Sequence, residues 1–192
     1  MTLTKQNINT LLALCNDGNQ LAQLEVYNRY QQAMYNTALR IIKDTAEAED
    51  IMQESFITAF NKLGTLKEAS TFGSWLKRIV INNSISQFNK SKRFVSLNDD
   101  DILQGNLEEE PYEESFSVGS DEDYTNTKAN RVLNCMDDLN DKYRQILNLH
   151  FIEGFDYEEI CEIQQISYAN CRTTISRAKE SLRKKLILEN EV

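Results

Sequence analysis

The sequence predicts an all-α fold: two small helical domains joined by a flexible acidic linker. Three observations carry that prediction. Apolar residues recur at steps of three and four along most of the chain, which is the helical period. The 192 residues include one proline and six glycines, so helix breakers are scarce. The charge is also uneven. The chain has 21 Lys+Arg against 30 Asp+Glu, yet eleven acids and no base lie between Asn98 and Asp123. Outside that span 19 acids face 21 bases, so the excess acid belongs to one segment. The segment also holds Pro111 and lacks helical periodicity, which reads as a linker. The expected boundaries are a first domain over 5–92, the acidic linker over 93–128 and a second domain over 129–188. The linker is open to two readings: a solvated spacer, or a mimic of nucleic acid that lies against a basic surface.

In the first domain, Leu21, Leu24, Tyr27, Tyr30, Met34, Ala38, Ile41 and Ile42 mark one face of a long amphipathic helix. Asp44 then follows as an N-cap with Glu47 three residues on, the capping-box spacing. The next helix buries Ala48, Ile51, Met52, Phe56, Ala59, Phe60 and Leu63. Its other side carries Glu47, Asp50, Gln53, Glu54 and Ile57, an acidic stripe with an apolar residue in reach. Gly64 to Ser70 is a loop, and Ser70 is placed to cap the third helix. There Phe72, Leu76 and Ile79 share a side, flanked by Trp75 and Val80, while Lys77, Arg78, Ile81 and Asn82 lie around the rest. Periodicity favours Trp75 as core over Trp75 as a platform for bases, although single-strand sites do combine aromatics with cations and amides.

In the second domain, Val132, Leu133, Met136 and Leu139 mark one helix, and Tyr143, Ile146, Leu147, His150 and Phe151 the next. Gly154 suits a left-handed cap. Asp156 and Glu159 form a second capping box before a short helix with Tyr157, Ile160 and Ile163 on one side. After the turn Gln164 to Ser167, with Ser167 as cap, Cys171, Ile175, Ala178, Leu182 and Leu186 form the stripe of a last helix. Its opposite face offers Arg172, Thr173, Ser176, Arg177, Lys179 and Arg183. From Cys171 to Lys185 six bases stand against one acid. A short helix, a tight turn and a basic amphipathic helix make a helix-turn-helix, whose second helix enters the major groove. The bland alternative is a basic helix with no DNA partner. The agreement of caps, turn length and charged face favours DNA.

Several functions are disfavoured. One histidine and no glycine-rich phosphate loop give no catalytic constellation. Cys15, Cys135, Cys161 and Cys171 are spread too widely for a zinc site, and they read as reduced thiols of a cytoplasmic protein. No metal or cofactor is expected. No apolar run is long enough to span a membrane, and the first residues do not read as a signal peptide.

Taken together, the motifs resemble the extracytoplasmic-function sigma factors of the sigma-70 family. DTAEAEDIMQESFITAF, residues 44–60, is similar to the family's AED-x-x-QE-x-F helix. Residues 70–82 match its S-x-F-x-x-WL-x-x-I-x-x-N. LNDKYRQILNLHFIEGFDYEEI, residues 139–160, resembles a motif ending EEIA, and residues 166–182 resemble IS-x-x-TVkSR-x-x-RA-x-x-x-L. The resemblance implies a chain that directs promoter recognition, promoter melting and transcription initiation. It implies contact with RNA polymerase core through Asp50, Ile51, Gln53, Glu54 and Ile57. It implies a base-holding loop over 64–71, with Phe72, Lys77, Arg78, Asn82 and Asn83 at the melted −10 element. It implies −35 recognition by Arg172, Thr173, Ser176, Arg177, Lys179 and Arg183, and an anti-sigma partner. The chain departs from the pattern at Asn140 (proline), Gln165 (glycine), Ser86 (aspartate) and Thr174 (arginine); Ser176 varies too. A stand-alone helix-turn-helix regulator would not need the 45–90 motifs, and a helical adaptor that binds proteins only would show no DNA affinity in its 129–188 part.

Overall fold

The computed structural model describes residues 3–98 and 125–188. Among these the structure is helical, with no strand. The chain divides into two compact units, Met1–Asp100 and Asp101–Val192.

The first unit packs α1 (Ile8–Asn16), α2 (Gln20–Ile42), α3 (Thr45–Asn61) and α4 (Phe72–Asn98). Helix α1 is an element that apolar periodicity did not reveal. Asn7 caps it, its Oδ1 accepting the Thr10 N–H at 2.9 Å, and Leu11, Leu12 and Cys15 bury against the core. That docking resets the start of α2. Ala22 and Val26 are buried, while Leu21 is 66% exposed and Leu24 is exposed too. The expected face is correct from Met34 through Ala38 to Ile41. Arg29 ties the N-terminal segment to α2, donating to the carbonyls of Thr4 and Gln6 at 2.9 Å while pairing with Glu25 at 2.7 Å.

Helix α2 ends with Lys43 in the left-handed conformation, φ 64°. Asp44 then caps α3, accepting the Glu47 N–H at 2.8 Å. The core gathers Val26, Met34, Met52, Phe56, Phe72, Leu76 and Val80. Tyr27 meets Phe56 at 4.9 Å between ring centroids, and Tyr30 meets Phe72 edge-on at 5.3 Å, favourable aromatic arrangements. Helices α2 and α4 approach closely at Gly73, where a Cβ would lie 3.2 Å from the Tyr30 ring. Helix α4 is entered through a 3-10 turn, Ala69–Thr71, rather than by the expected Ser70 cap. It continues to Asn98, past residue 92. The acidic segment from 99 to 124 lies outside the described residues.

The second unit comprises α5 (Thr125–Asp137), α6 (Asp141–Leu147), α7 (Tyr157–Gln164) and α8 (Tyr168–Leu188). Asn140, where the family motif has proline, caps α6 by accepting the Tyr143 N–H at 3.0 Å. A π-helical turn, Asn148–Ile152, follows. Helices α5, α6 and α7 all pack on α8, around Ile146, Leu147, Leu149, Ile160, Ile175 and Ala178. On α5 the buried positions are Cys135 and Met136, and Val132 and Leu133 are exposed, a correction to the expected stripe. Arg144 is buried and pairs with Asp141 at 3.0 Å. Burial pulls its guanidinium pKa down, and the charges of Asp141 and Asp137 oppose that.

Candidate functional site

Helix α3 buries Ala48, Ile51, Met52, Ser55, Phe56 and Ala59. Its remaining positions form an outer face. Asp50, Gln53 and Glu54 are exposed there, and Ile57 is 63% exposed. An apolar side chain held in water beside acids is the arrangement a docking face presents. Ile51 is not part of it. At 6% exposure its side chain belongs to the core, because a helix turns 100° per residue and Asp50 takes the outer position. Sequence reasoning missed Glu49, exposed beside this face and accepting from the Gln53 amide at 3.1 Å. It also missed the hollow next to it, lined by Tyr27, Gln31, Gln32 and Tyr35 of α2 with Glu49 and Met52.

On α4 the expected nucleic-acid residues divide. Phe72 is fully buried against Tyr30 and Trp75, so no base can reach its ring. Ile81, expected on the outer circumference, is fully buried too. Trp75 is half-buried and packs on the core. Asn82 is exposed, and Lys77 and Arg78 are half-buried. Asn83 is half-buried and donates to Ser55 Oγ at 3.0 Å. The Ser55 hydroxyl in turn donates to the Ile51 carbonyl at 2.6 Å. This polar link fastens α4 to α3, which gives Asn83 a structural task. The preceding loop leaves Gly64, Thr65, Lys67, Glu68, Ser70 and Thr71 exposed.

The second unit builds its site on α7 and α8. Gly154 adopts φ 80°. Asp156 then closes a reciprocal capping box: its Oδ1 accepts the Glu159 N–H at 2.8 Å and Glu159 Oε2 accepts the Asp156 N–H at 3.1 Å. Helix α7 ends at Gln165 with φ 54°. Ser167 Oγ caps α8 by accepting the Asn170 N–H at 3.3 Å. Cys171, Ile175, Ala178 and Leu182 fix the inner face of α8. The outer face therefore holds Arg172, Thr173, Ser176, Arg177 and Arg183, all exposed. Arg183 lies 3.6 Å from Glu180. Lys179 is half-buried, its Nζ 4.9 Å above the Phe151 ring, a cation–π contact that turns it toward the unit's own surface. Thr174, where the family motif has arginine, is buried and donates to Asn170 Oδ1 at 3.1 Å. Tyr168, 53% exposed at the first position of α8, is a member of this face that charge alone did not reveal.

Two family models match the chain: sigma-70 region 2 over residues 26–94, spanning α2 to α4, and sigma-70 region 4 over residues 129–182. A relative from Bacillus subtilis, the ECF RNA polymerase sigma factor SigW, is 31% identical over 88% of this chain and 91% of its own length. The chain belongs to the extracytoplasmic-function sigma factors of the sigma-70 family. This sigma factor is also 30% identical to the B. subtilis ECF RNA polymerase sigma factor SigM, over 83% of this chain and 91% of that one. It is 27% identical to the Pseudomonas aeruginosa RNA polymerase sigma-H factor, over 96% of each. Among solved structures, the sigma factor RpoE from Bartonella quintana, crystallised with the anti-sigma factor NepR, has a similar fold. Its TM-score is 0.52 at 22% identity, covering 84% of this chain and 94% of that one. The chain is thus an RNA polymerase sigma factor acting in transcription initiation. No helix among the described residues is long and apolar enough to cross a membrane.

Proposed function

We propose that the two units divide promoter recognition between them. The first, over 5–92, docks on RNA polymerase core through Asp50, Gln53, Glu54 and Ile57 of α3. It opens the −10 element with the 64–71 loop and the polar edge of α4, namely Lys77, Arg78 and Asn82. Asn83 serves there by holding α4 against α3. The second unit, over 129–188, lays α8 in the major groove of the −35 element. Arg172, Thr173, Ser176 and Arg177 reach base edges and phosphates, and Lys179 and Arg183 add cationic charge. The acidic segment between α4 and α5, shorter at both ends than the expected 93–128, connects the two and follows a path on polymerase suited to an anionic strand.

The observation that carries this reading is the outer face of α8. Arg172, Thr173, Ser176 and Arg177 are exposed together on a helix entered through a capped turn, the geometry in which a recognition helix meets DNA. The chain works in the cytoplasm and does no chemistry of its own, spending binding energy inside the larger enzyme. An anti-sigma protein restrains it, by analogy with the solved RpoE–NepR complex and with the structure of CnrH in complex with the cytosolic domain of CnrY.

The test is transcription in vitro by core polymerase, with and without this chain, over genomic DNA. Start sites that share −35 and −10 elements and depend on the chain are expected. Duplex binding without core and no chain-dependent start would instead identify a stand-alone regulator.

A further inference from the structure

The first residue of α8 differs in kind from the rest of its outer face. Arg172, Thr173, Ser176 and Arg177 are polar, whereas Tyr168 brings an aromatic ring to the surface and leaves it 53% exposed. Tyrosine is enriched where a partner covers its ring. This ring is also braced. Its centroid lies 6.1 Å from that of Tyr157 at the head of α7, and Tyr157 meets His150 edge-on at 5.2 Å. The His150 Nδ1–H donates to the Phe155 carbonyl at 3.1 Å, and both Tyr157 and His150 are half-buried. A chain of rings thus runs from the π-helical turn to the head of α8 and ends at Tyr168. The backbone that carries the ring is held as well, by the Ser167 cap on the Asn170 N–H. A side chain already in place gives up little freedom when a partner covers it.

Position gives the ring its partner. The N-terminal residues of a recognition helix are those that contact base edges in the major groove, and Tyr168 is the first of α8. Arg172 follows four residues later, on the same side of the helix and about 6 Å along its axis. Base pairs stack about 3.4 Å apart, so the two side chains reach bases within about two steps of each other. The apolar group that base pairs show in the major groove is the C5-methyl of thymine, and a phenol ring is an apolar match for it. We infer that Tyr168 is a specificity-determining residue, its ring covering the methyl group of a thymine in the −35 element within about two base pairs of the base read by Arg172. The hydroxyl is not needed for this contact, and the bracing by Tyr157 sets which thymine is selected. The family motif IS-x-x-T leaves position 168 open, so the residue there separates one member's promoter from another's.

This role of Tyr168 rests on the −35 reading of α8, and one experiment separates the two. The full chain is bound to core polymerase and titrated with promoter duplexes in which each −35 thymine in turn is replaced by deoxyuridine, which removes the methyl group alone. The native chain loses about fourfold in affinity at one position, the worth of one buried methyl-sized group. Tyr168→Ala loses about fourfold on the unmodified duplex and nothing further on that deoxyuridine duplex, so the two losses fail to add. Tyr168→Phe keeps the native affinity and the native loss. Losses that multiply at every thymine overturn the inference and leave a ring that shapes the turn. A Tyr168→Phe loss equal to that of Tyr168→Ala overturns it in favour of a hydroxyl contact to phosphate, and an unchanged native affinity on every deoxyuridine duplex overturns it outright. If the native chain gives core no affinity for the −35 element, the reading of α8 fails and the role of Tyr168 falls with it.

Discussion

At the scale of single residues, burial decides which polar groups are available for function and which hold the fold. Arg172 is exposed beside fully buried Cys171, so its side chain is presented without any change to the core. Arg172→Ala should lower −35 affinity by about 1–3 kcal/mol, the worth of a bidentate base contact; a duplex titration checks this. Asn83 illustrates the other case. Its amide reaches Ser55, a fully buried hydroxyl on α3. Asn83→Ala should cost about 1–2 kcal/mol of stability, read by urea unfolding, in addition to any loss in promoter melting. The thiols supply a pH dependence. Burial holds Cys15 and Cys171 up at about 11, above their ordinary value of 9.0. Both are neutral when protonated, so their contribution is whole below pH 9. It is lost as pH rises through 11, where the folded state must bury a thiolate. Stability should fall across that window, and fall less in Cys15→Ala.

At the scale of elements, much was legible because much was local. The caps at Asp44, Asp156 and Ser167, the left-handed turn at Gly154 and the stripe of α8 each depend on neighbours within a few residues, and each forms. What sequence reading missed depended on distant partners. Helix α1 is short, and its apolar residues gain meaning only when α2 and the 3-10 turn Ala69–Thr71 receive them. The first turn of α2 changes phase for the same reason, leaving Leu21 and Leu24 outside. Ile51 and Phe72 were assigned to interfaces by their place in a motif, yet packing against Tyr30 and its neighbours takes Phe72 inward. The turn of the helix-turn-helix is open to test here. Gln165 sits at φ 54°, a conformation costing a non-glycine residue about 1 kcal/mol. Gln165→Gly should therefore raise the melting temperature without loss of promoter binding.

At the scale of the whole molecule, the charge pattern bears on the proposed partners. Away from the acidic segment the chain is close to neutral, so the proposed function requires the cations that meet DNA to be gathered on a face rather than spread. They are gathered on α8. Promoter affinity should accordingly fall with salt, and Arg177→Ala should reduce the log–log salt slope by about one if it meets a phosphate. In the proposed function the acidic outer face of α3 has the complementary role toward a basic protein surface. Asp50 is exposed at a helix position that buries nothing, so reversing its charge should leave the fold intact.

The most direct measurement is promoter-dependent transcription by core polymerase supplied in turn with the native chain, Asp50→Arg or Arg172→Ala, all three first shown to be folded. The native chain should start transcripts, Asp50→Arg should fail to co-purify with core and start none, and Arg172→Ala should join core but lose the −35-dependent starts. If both variants transcribe as well as the native chain, neither the acidic face of α3 nor the cationic face of α8 is what recognises polymerase and promoter.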